Sequence, residues 1–132
     1  MPGDLLYLDS SAIVKLVVAE PETSALRRLL AAWPERVSSV VARIEVHRVA
    51  RRIGGTPPAR VREILRRIAL VHLDEPVIQA AATLDPPALR TLDAIHLATA
   101  RSLGDDLGAI CTYDARLAEA AAALGMEVLT PA

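Results

Sequence analysis

The stretch YLDSSAIVKL, residues 7–16, decides the fold, because in it an aspartate separates two apolar segments. The residues before Asp9 form a continuous apolar run (LLYL), which is typical of a strand that is buried on both faces. The residues after Asp9 predict a helix, for which Ser10 or Ser11 can serve as the N-cap. A carboxylate between two buried elements costs stability, so we expect other groups to compensate for its charge.

The length of the chain predicts one compact domain over residues 1–132, large enough to bury a substantial core. Hydrophobic residues make up 52% of the chain and aromatic residues 2%, so the core is aliphatic and stacked aromatic platforms for single-stranded RNA are disfavoured. The single cysteine, Cys111, is expected to be a reduced core residue. The chain shows no signal-peptide pattern and no membrane-spanning apolar run, so we expect a cytoplasmic protein without a membrane partner.

Charge is distributed unevenly along the chain although the net charge is only −1. Residues 43–67 hold eight arginines against two glutamates, a net +6, which leaves −7 for the remainder. The near-neutral total therefore hides a basic segment and an acidic remainder.

Strand-like and helix-like segments alternate along the chain with short connections between them. Strands are predicted at 5–9, 36–40, 69–73, 108–114 and 127–131. Helices are predicted after the first strand and at 22–33, 41–53, 61–68, 75–84, 91–103 and 115–124. This alternation predicts a parallel sheet with helices on both faces, which binds ligands beyond the carboxyl ends of its strands. Asp9 and Asp114 each end a predicted strand, at that same edge.

Two further acids stand at positions that are expected to be buried. Asp93 lies in TLDAIHLATA (91–100), where a helix would be apolar nearly all round. With Thr91 as the N-cap, Asp93 falls in the first turn, where the helix dipole favours a negative charge. Glu45 lies at the buried edge of the apolar stripe of the helix at 41–53.

Each of the four acids also has a purely structural interpretation. Asp9 and Asp114 could be helix N-caps, Asp93 a partner of the helix dipole, and Glu45 a partner of an arginine, Arg48 or Arg52, on its own helix. The joint arrangement is harder to explain in this way, because carboxylates that converge on one sheet edge must become protonated or bind cations. Oxygen ligands suit Mg²⁺ or Mn²⁺, and zinc is disfavoured because no Cys/His pair has ligand spacing.

Four stretches taken together resemble a PIN-domain ribonuclease of the VapC toxin type, over essentially the whole chain. They are YLDSSAIVKL, SSVVARIEVHRV, LRTLDAIHLATA and CTYDARLAEAAAALGMEVL. The resemblance implies a three-layer α/β/α domain with a parallel sheet of about five strands in an order near 3-2-1-4-5. It also implies a Mg²⁺-dependent endoribonuclease, with Mn²⁺ as the alternative ion. Its carboxylates correspond here to Asp9, Glu45, Asp93 and Asp114.

The same resemblance implies a partner and an assembly. Such proteins are inhibited by a cognate VapB-type antitoxin, so we expect a homodimer or a toxin–antitoxin hetero-oligomer. Thr112 matches a position that often helps to hold a metal-site water, and Ser10 is expected to support the site beside Asp9.

Metal-assisted hydrolysis of RNA phosphodiesters gives each residue an expected role. Asp9 would be the central ligand, Asp93 and Asp114 would lie beside it directly or through water, and Glu45 would orient or deprotonate the attacking water. Because an anionic site repels RNA, phosphate contacts are expected from the arginine-rich segment. The candidates are Arg43, Arg48 and Arg52, of which Arg52 lies nearest the edge that carries Glu45.

Several other interpretations compete with this one. A phosphotransfer domain is disfavoured because Ser11 stands where a second aspartate is needed and Lys15 is the only lysine. A catalytically silent PIN-like scaffold that binds RNA or protein remains open, as does a PIN nuclease of RNA processing or decay. His96, three residues after Asp93, is interpreted as a packed helix histidine in preference to a hydrogen-bonding partner of the site.

Overall fold

The computed structural model describes residues 3–132 and contains one five-stranded parallel sheet. The strand order is β3-β2-β1-β4-β5, which confirms the predicted order. The strands are β1 Leu5–Leu8, β2 Glu35–Ser39, β3 Ala69–Val71, β4 Leu107–Cys111 and β5 Val128–Leu129. The strands β3, β4 and β5 end earlier than predicted, because their pairing with neighbouring strands ends at Val71, Cys111 and Leu129.

Seven α-helices connect and flank the strands. They are α1 Ser10–Val17, α2 Thr23–Ala32, α3 Val41–Ile53, α4 Pro58–Leu65, α5 Glu75–Ala82, α6 Thr91–Ser102 and α7 Ala115–Ala123. The α3 helix has the predicted bounds and ends at Gly54, whose φ of 81° suits a residue without a side chain. A short 3₁₀ turn at Gly104–Asp106, which the sequence pattern does not predict, precedes β4.

Apolar side chains cover both faces of the sheet. On one face Leu6 and Leu8 pack with Leu26 of α2 and Val46 of α3. On the other face Tyr7, between the two leucines, packs with residues of α6 and α7. Successive strand residues point to opposite faces, so the continuous apolar run of β1 serves two separate cores. The predicted three-layer α/β/α architecture is thereby confirmed.

The N-caps of three helices lie at the candidate site, and two of them differ from the caps that the sequence predicts. Asp9, not Ser10 or Ser11, is the N-cap of α1 and accepts a hydrogen bond from the amide of Ala12. Asp114 caps α7 in the same way, three residues after β4 ends. Arg90 holds the N-cap position of α6 without a side-chain bond, which moves the start one residue from the predicted Thr91 cap. Both capping aspartates therefore have the structural role that the sequence left open.

None of the helices within residues 3–132 combines the length and the apolar character that crossing a membrane requires.

Candidate active site

A cleft of about 360 Å³ opens beyond the carboxyl ends of the central strands. Its lining consists of Asp9, Ser10, Ser11, Glu45, Arg90, Thr91, Leu92, Asp93, His96 and Asp114. The structure thus brings the four acids singled out from the sequence to one cleft, although they belong to four different segments. Parallel strands end at the same edge of a sheet, and the helices that follow them begin there.

Asp9 lies at the floor of the cleft and is buried. Its Oδ1 accepts hydrogen bonds from Ser11 Oγ at 2.7 Å and from the amide of Ala12 at 3.0 Å. Its Oδ2 accepts a 2.6 Å bond from Thr112 Oγ1. Burial raises the pKa of this carboxyl, and the three hydrogen bonds oppose that shift only in part. A positive charge brought into the cleft would favour the ionised form.

Thr112 and Ser11 connect the segment after β4 to the start of α1. Thr112 Oγ1 accepts a hydrogen bond from the amide of Asp114 at 3.0 Å while it donates to Asp9. Ser11 Oγ accepts from the amide of Tyr113 at 2.9 Å. Two of the acids, Asp9 and Asp114, are therefore held at a set separation by one threonine hydroxyl.

Asp93 and Asp114 share a single arginine. Arg90 Nε donates to Asp93 Oδ2 at 2.9 Å, and Arg90 Nη2 donates to Asp114 Oδ2 at 2.7 Å. The side chains of Asp93 and Asp114 are 12% and 30% exposed, and that of Arg90 is 53% exposed. The hydrogen bond and charge of Asp93, followed by the charge of Asp114, raise the pKa of Arg90. Sequence reasoning missed Arg90, although its i, i+3 spacing from Asp93 was a usable signal.

Glu45 occupies the opposite side of the cleft and is bound at both oxygens. Ser10 Oγ donates to Glu45 Oε2 at 3.0 Å, and His96 Nε2 lies 2.7 Å from Glu45 Oε1. Within residues 3–132, Glu45 has no ion pair with Arg48 or Arg52, so the simple structural interpretation of this acid is wrong. The preference for a merely packed His96 is also wrong, since this buried ring contacts Glu45 directly.

The three arginines expected to contact RNA lie elsewhere on the surface. Arg43, Arg48 and Arg52 are exposed on α3, and none of them lines the acid cleft. Arg43 borders a separate cleft of about 470 Å³ with Arg62 and Arg66. A role of this segment in RNA binding stays a prediction.

The donor set of the cleft suits a hard divalent cation, because it consists of carboxylates with hydroxyl groups beside them. In the arrangement shown by residues 3–132, no three side chains of the His, Cys, Asp and Glu types are placed to hold a metal ion. The positive charge between Asp93 and Asp114 is instead that of the Arg90 guanidinium, which forms an ion pair with each carboxylate. The residues therefore fit a divalent ion in chemistry and charge, and in this structure Arg90 binds two of the four acids.

Comparisons with known proteins agree on one family. The model of the PIN domain matches residues 6–123. Ribonuclease VapC46 of Mycobacterium tuberculosis is 52% identical over 126 residues, which cover 96% of this chain and 97% of the relative. Ribonuclease VapC47 of the same species is 39% identical over 132 residues, with the same coverage of both chains.

Two solved structures share the fold. A toxin–antitoxin complex from Klebsiella pneumoniae contains a chain with a TM-score of 0.75 and 22% identity, covering 96% of this chain and 98% of that one. VapC20 of M. tuberculosis, described as a toxin that cleaves the sarcin–ricin loop, has a TM-score of 0.74 and 19% identity, covering 96% of this chain and 99% of that one. At sequence identities of 22% and 19%, these two comparisons show a shared fold and no more.

Proposed function

The chain belongs to the PIN-domain family, in its VapC group, and from this premise we propose that it is a metal-dependent endoribonuclease that acts as a toxin. The observation that carries the proposal is the convergence of Asp9, Glu45, Asp93 and Asp114 on one cleft. Two sequence relatives that match along nearly their whole length are ribonucleases by name, which supports RNA as the substrate.

Asp9, Asp93, Asp114 and Glu45 are the residues that would hold the ion, which we propose to be Mg²⁺ with Mn²⁺ as the alternative. When bound, a divalent ion supplies a water of lowered pKa and offsets the negative charge on the scissile phosphate. Asp9 is the central ligand because it is buried and oriented by Thr112, Ser11 and the start of α1. The charge of an ion would offset the desolvation of its carboxylate.

Glu45 is proposed to orient the attacking water and to accept its proton. Its position fits this role because it faces Asp9 from another element and each of its oxygens already has a donor, Ser10 or His96. A carboxylate held in this way presents its remaining lone pairs to the cleft in one orientation, which favours proton transfer along a defined path.

RNA must approach an acidic cleft, so cationic groups beside it are needed. Arg90 is placed at the cleft and is half exposed, so we propose that it contacts a phosphate of the substrate once the acids have another cation. Arg43, Arg48 and Arg52 of α3 would add contacts to the RNA backbone outside the cleft.

The protein is proposed to act in the cytoplasm and to be inhibited by a VapB-type antitoxin, as a homodimer or in a toxin–antitoxin hetero-oligomer. Support for the antitoxin comes from the chain of a toxin–antitoxin complex that shares this fold.

An Asp9→Asn substitution tests the proposed function most directly. We expect loss of Mg²⁺-dependent RNA cleavage by more than about 10³-fold, because the central anionic ligand is removed. We also expect growth arrest on expression to be lost. The fold should be retained, since asparagine is an equally good N-cap for α1. Cleavage ends mapped in total RNA after brief induction provide the measurement.

Asp74→Asn is the matched control, because Asp74 caps α5 through an Oδ1–amide bond of the same 3.0 Å length outside the cleft. This variant should cleave RNA as the wild type does. RNA binding without cleavage by the wild type would identify a silent scaffold, and full activity of Asp9→Asn would remove the assigned site.

A further inference from the structure

A buried chain of hydrogen bonds runs from the core of the protein to Glu45. The Tyr7 hydroxyl lies 2.7 Å from His96 Nδ1, and His96 Nε2 lies 2.7 Å from Glu45 Oε1. The three residues come from β1, α6 and α3, at sequence separations of 89 and 51 residues. The helix periodicity of α6 explains why His96 is buried, but it does not explain why both of its ring nitrogens have partners.

Hydrogen-bond chemistry assigns the direction of this chain. The carboxylate of Glu45 is an acceptor, so His96 Nε2 must carry hydrogen and donate to it. In a neutral ring Nδ1 is then an acceptor, and the Tyr7 hydroxyl donates to it. Burial raises the pKa of Tyr7 far above its usual range, with a nearby Ser38 hydroxyl opposing the shift only in part. The phenol thus keeps its proton and remains a donor.

The environment of the pair keeps its geometry rigid. Tyr7 is fully buried on β1, and His96 is 2% exposed on α6. The two rings also contact each other edge to face, with centroids 5.8 Å apart and planes inclined by 75°. Neither ring can rotate without breaking core packing, so the donor that Nε2 presents to Glu45 has a single direction.

We propose that Tyr7 and His96 are positioning residues that hold the Glu45 carboxylate in the orientation needed for RNA hydrolysis. The Glu45 carboxylate requires hydrogen on His96 Nε2, the Tyr7 hydroxyl supports the same tautomer from Nδ1, and His96 sets the orientation of Glu45. Tyr7 is fully buried, and His96 lines the cleft with only 2% of its surface exposed, so we assign neither residue a direct contact with substrate. This inference rests on the proposed function, in which Glu45 directs the attacking water.

The first test compares two substitutions of His96 in a cleavage assay with Mg²⁺ and a defined RNA. His96→Leu keeps the apolar packing but removes the donor, and kcat should fall by roughly 10- to 100-fold with KM little changed. His96→Gln provides an N–H and an acceptor, and it should restore most of this loss. In a Glu45→Gln background, His96→Leu should lower kcat by less than twofold, because the Glu45 carboxylate through which His96 acts is already absent.

The second test measures the tautomer without any catalysis. The chain has three histidines, so the ring nitrogens of ¹⁵N-histidine-labelled protein can be assigned by comparison with His96→Gln. His96 should show a protonated Nε2 and an unprotonated Nδ1. Tyr7→Phe removes the donor to Nδ1, so it should shift the Nδ1 resonance, weaken this preference and lower kcat by about threefold to tenfold. Tyr113→Phe is the matched control, since its hydroxyl makes a bond of the same 2.7 Å length to the carbonyl of Pro131.

The outcomes separate the inference from the proposed function. A wild-type protein that does not cleave RNA would overturn the proposed function. The measured tautomer of His96 would still show whether the hydrogen bonds from Tyr7 through His96 to Glu45 exist. If the wild type is active, either of two results overturns the inference. The first is a kcat of His96→Leu within twofold of the wild-type value. The second is an equal loss of kcat from His96→Leu in the wild-type and Glu45→Gln backgrounds. Protonation of Nδ1 in the wild type would overturn the part assigned to Tyr7.

Discussion

The two sides of the acid cleft are held by opposite means. On the Glu45 side, formed by Tyr7, His96, Glu45 and Ser10, hydrogen bonds among largely buried groups connect the carboxylate to the core. On the Arg90 side, formed by Arg90, Asp93 and Asp114, a half-exposed guanidinium joins two acids. One side is connected to the packed interior through His96 and Tyr7, and the other is an ion pair between the buried Asp93 and a half-exposed guanidinium that also binds Asp114.

This difference indicates that Glu45 keeps its hydrogen-bond partners, whereas Asp93 and Asp114 can exchange theirs. Hydrogen bonds in a buried network persist in salt and are strengthened by the low local dielectric. The Arg90 guanidinium is half exposed, so salt screens its ion pairs in part and another cation can compete with it for Asp93 and Asp114. We expect the Glu45 side to keep its geometry during the reaction and the Arg90 side to rearrange.

The largest effect should come from Glu45→Gln. The amide can keep the contacts with His96 and Ser10, so the fold and the arrangement of the Glu45 side should survive. The variant cannot accept a proton from water, and kcat should fall by roughly 10²- to 10⁴-fold. A single-turnover cleavage assay with a melting curve measures both properties. Activity within tenfold of the wild type would show that the rigid side of the cleft has no part in proton transfer.

An intermediate effect is expected from Arg90→Gln, measured by calorimetric titration of Mn²⁺ into the protein without RNA. Because the variant removes a unit positive charge that competes for Asp93 and Asp114, Mn²⁺ should bind roughly tenfold more tightly.

Arg60→Gln is the control for this titration, because Arg60 forms an exposed i, i+3 ion pair with Glu63 remote from the cleft. Its affinity for Mn²⁺ should equal that of the wild type. If Arg90→Gln also leaves the affinity unchanged, the guanidinium does not compete with a cation, and the two sides of the cleft are equally fixed.

The smallest effect is predicted for Arg52→Gln, outside both sides of the cleft. RNA affinity should fall only severalfold, and the dependence of log affinity on log salt should lose about one unit of slope or slightly less. Affinity for Mn²⁺ should not change, in contrast to Arg90→Gln. Fluorescence anisotropy with Asp9→Asn protein avoids cleavage, and Arg101→Gln, also exposed, provides the control. If the slope of log RNA affinity against log salt concentration does not change, Arg52 does not contact RNA.

Most of the secondary structure was predictable, because burial imposes a period on the sequence. The α3 helix has its predicted bounds, since an apolar stripe and Gly54 define it locally. The edge strands were predicted too long, because apolar character extends beyond the residues that find a pairing neighbour. The start of α1 was assigned to a serine because serine and aspartate are equally good caps in isolation.

The sequence predicted the four acids of the candidate site together with Ser10 and Thr112, and it did not predict Arg90. Asp9 and Asp93 were identified because burying a carboxylate among apolar neighbours costs free energy, and the apolar neighbours can be read from the sequence. Arg90 was missed although Asp93 lies three residues away, and His96 was interpreted as a packed residue because its partner Glu45 lies 51 residues away in the chain. A missing partner cannot be inferred from a local pattern.

The sequence by itself determined the alternation of strands and helices, the sheet edge to which the acids belong, and the likeness to the PIN family. The first two follow from local apolar periodicity and from residue types at the ends of elements, and the likeness to the family rests on the resemblance of four stretches of sequence. Only the tertiary structure decided that Asp93 and Asp114 share Arg90 while Glu45 is held by His96. The reason is physical: hydrogen bonds and ion pairs act over about 3 Å, and only folding brings such distant segments that close.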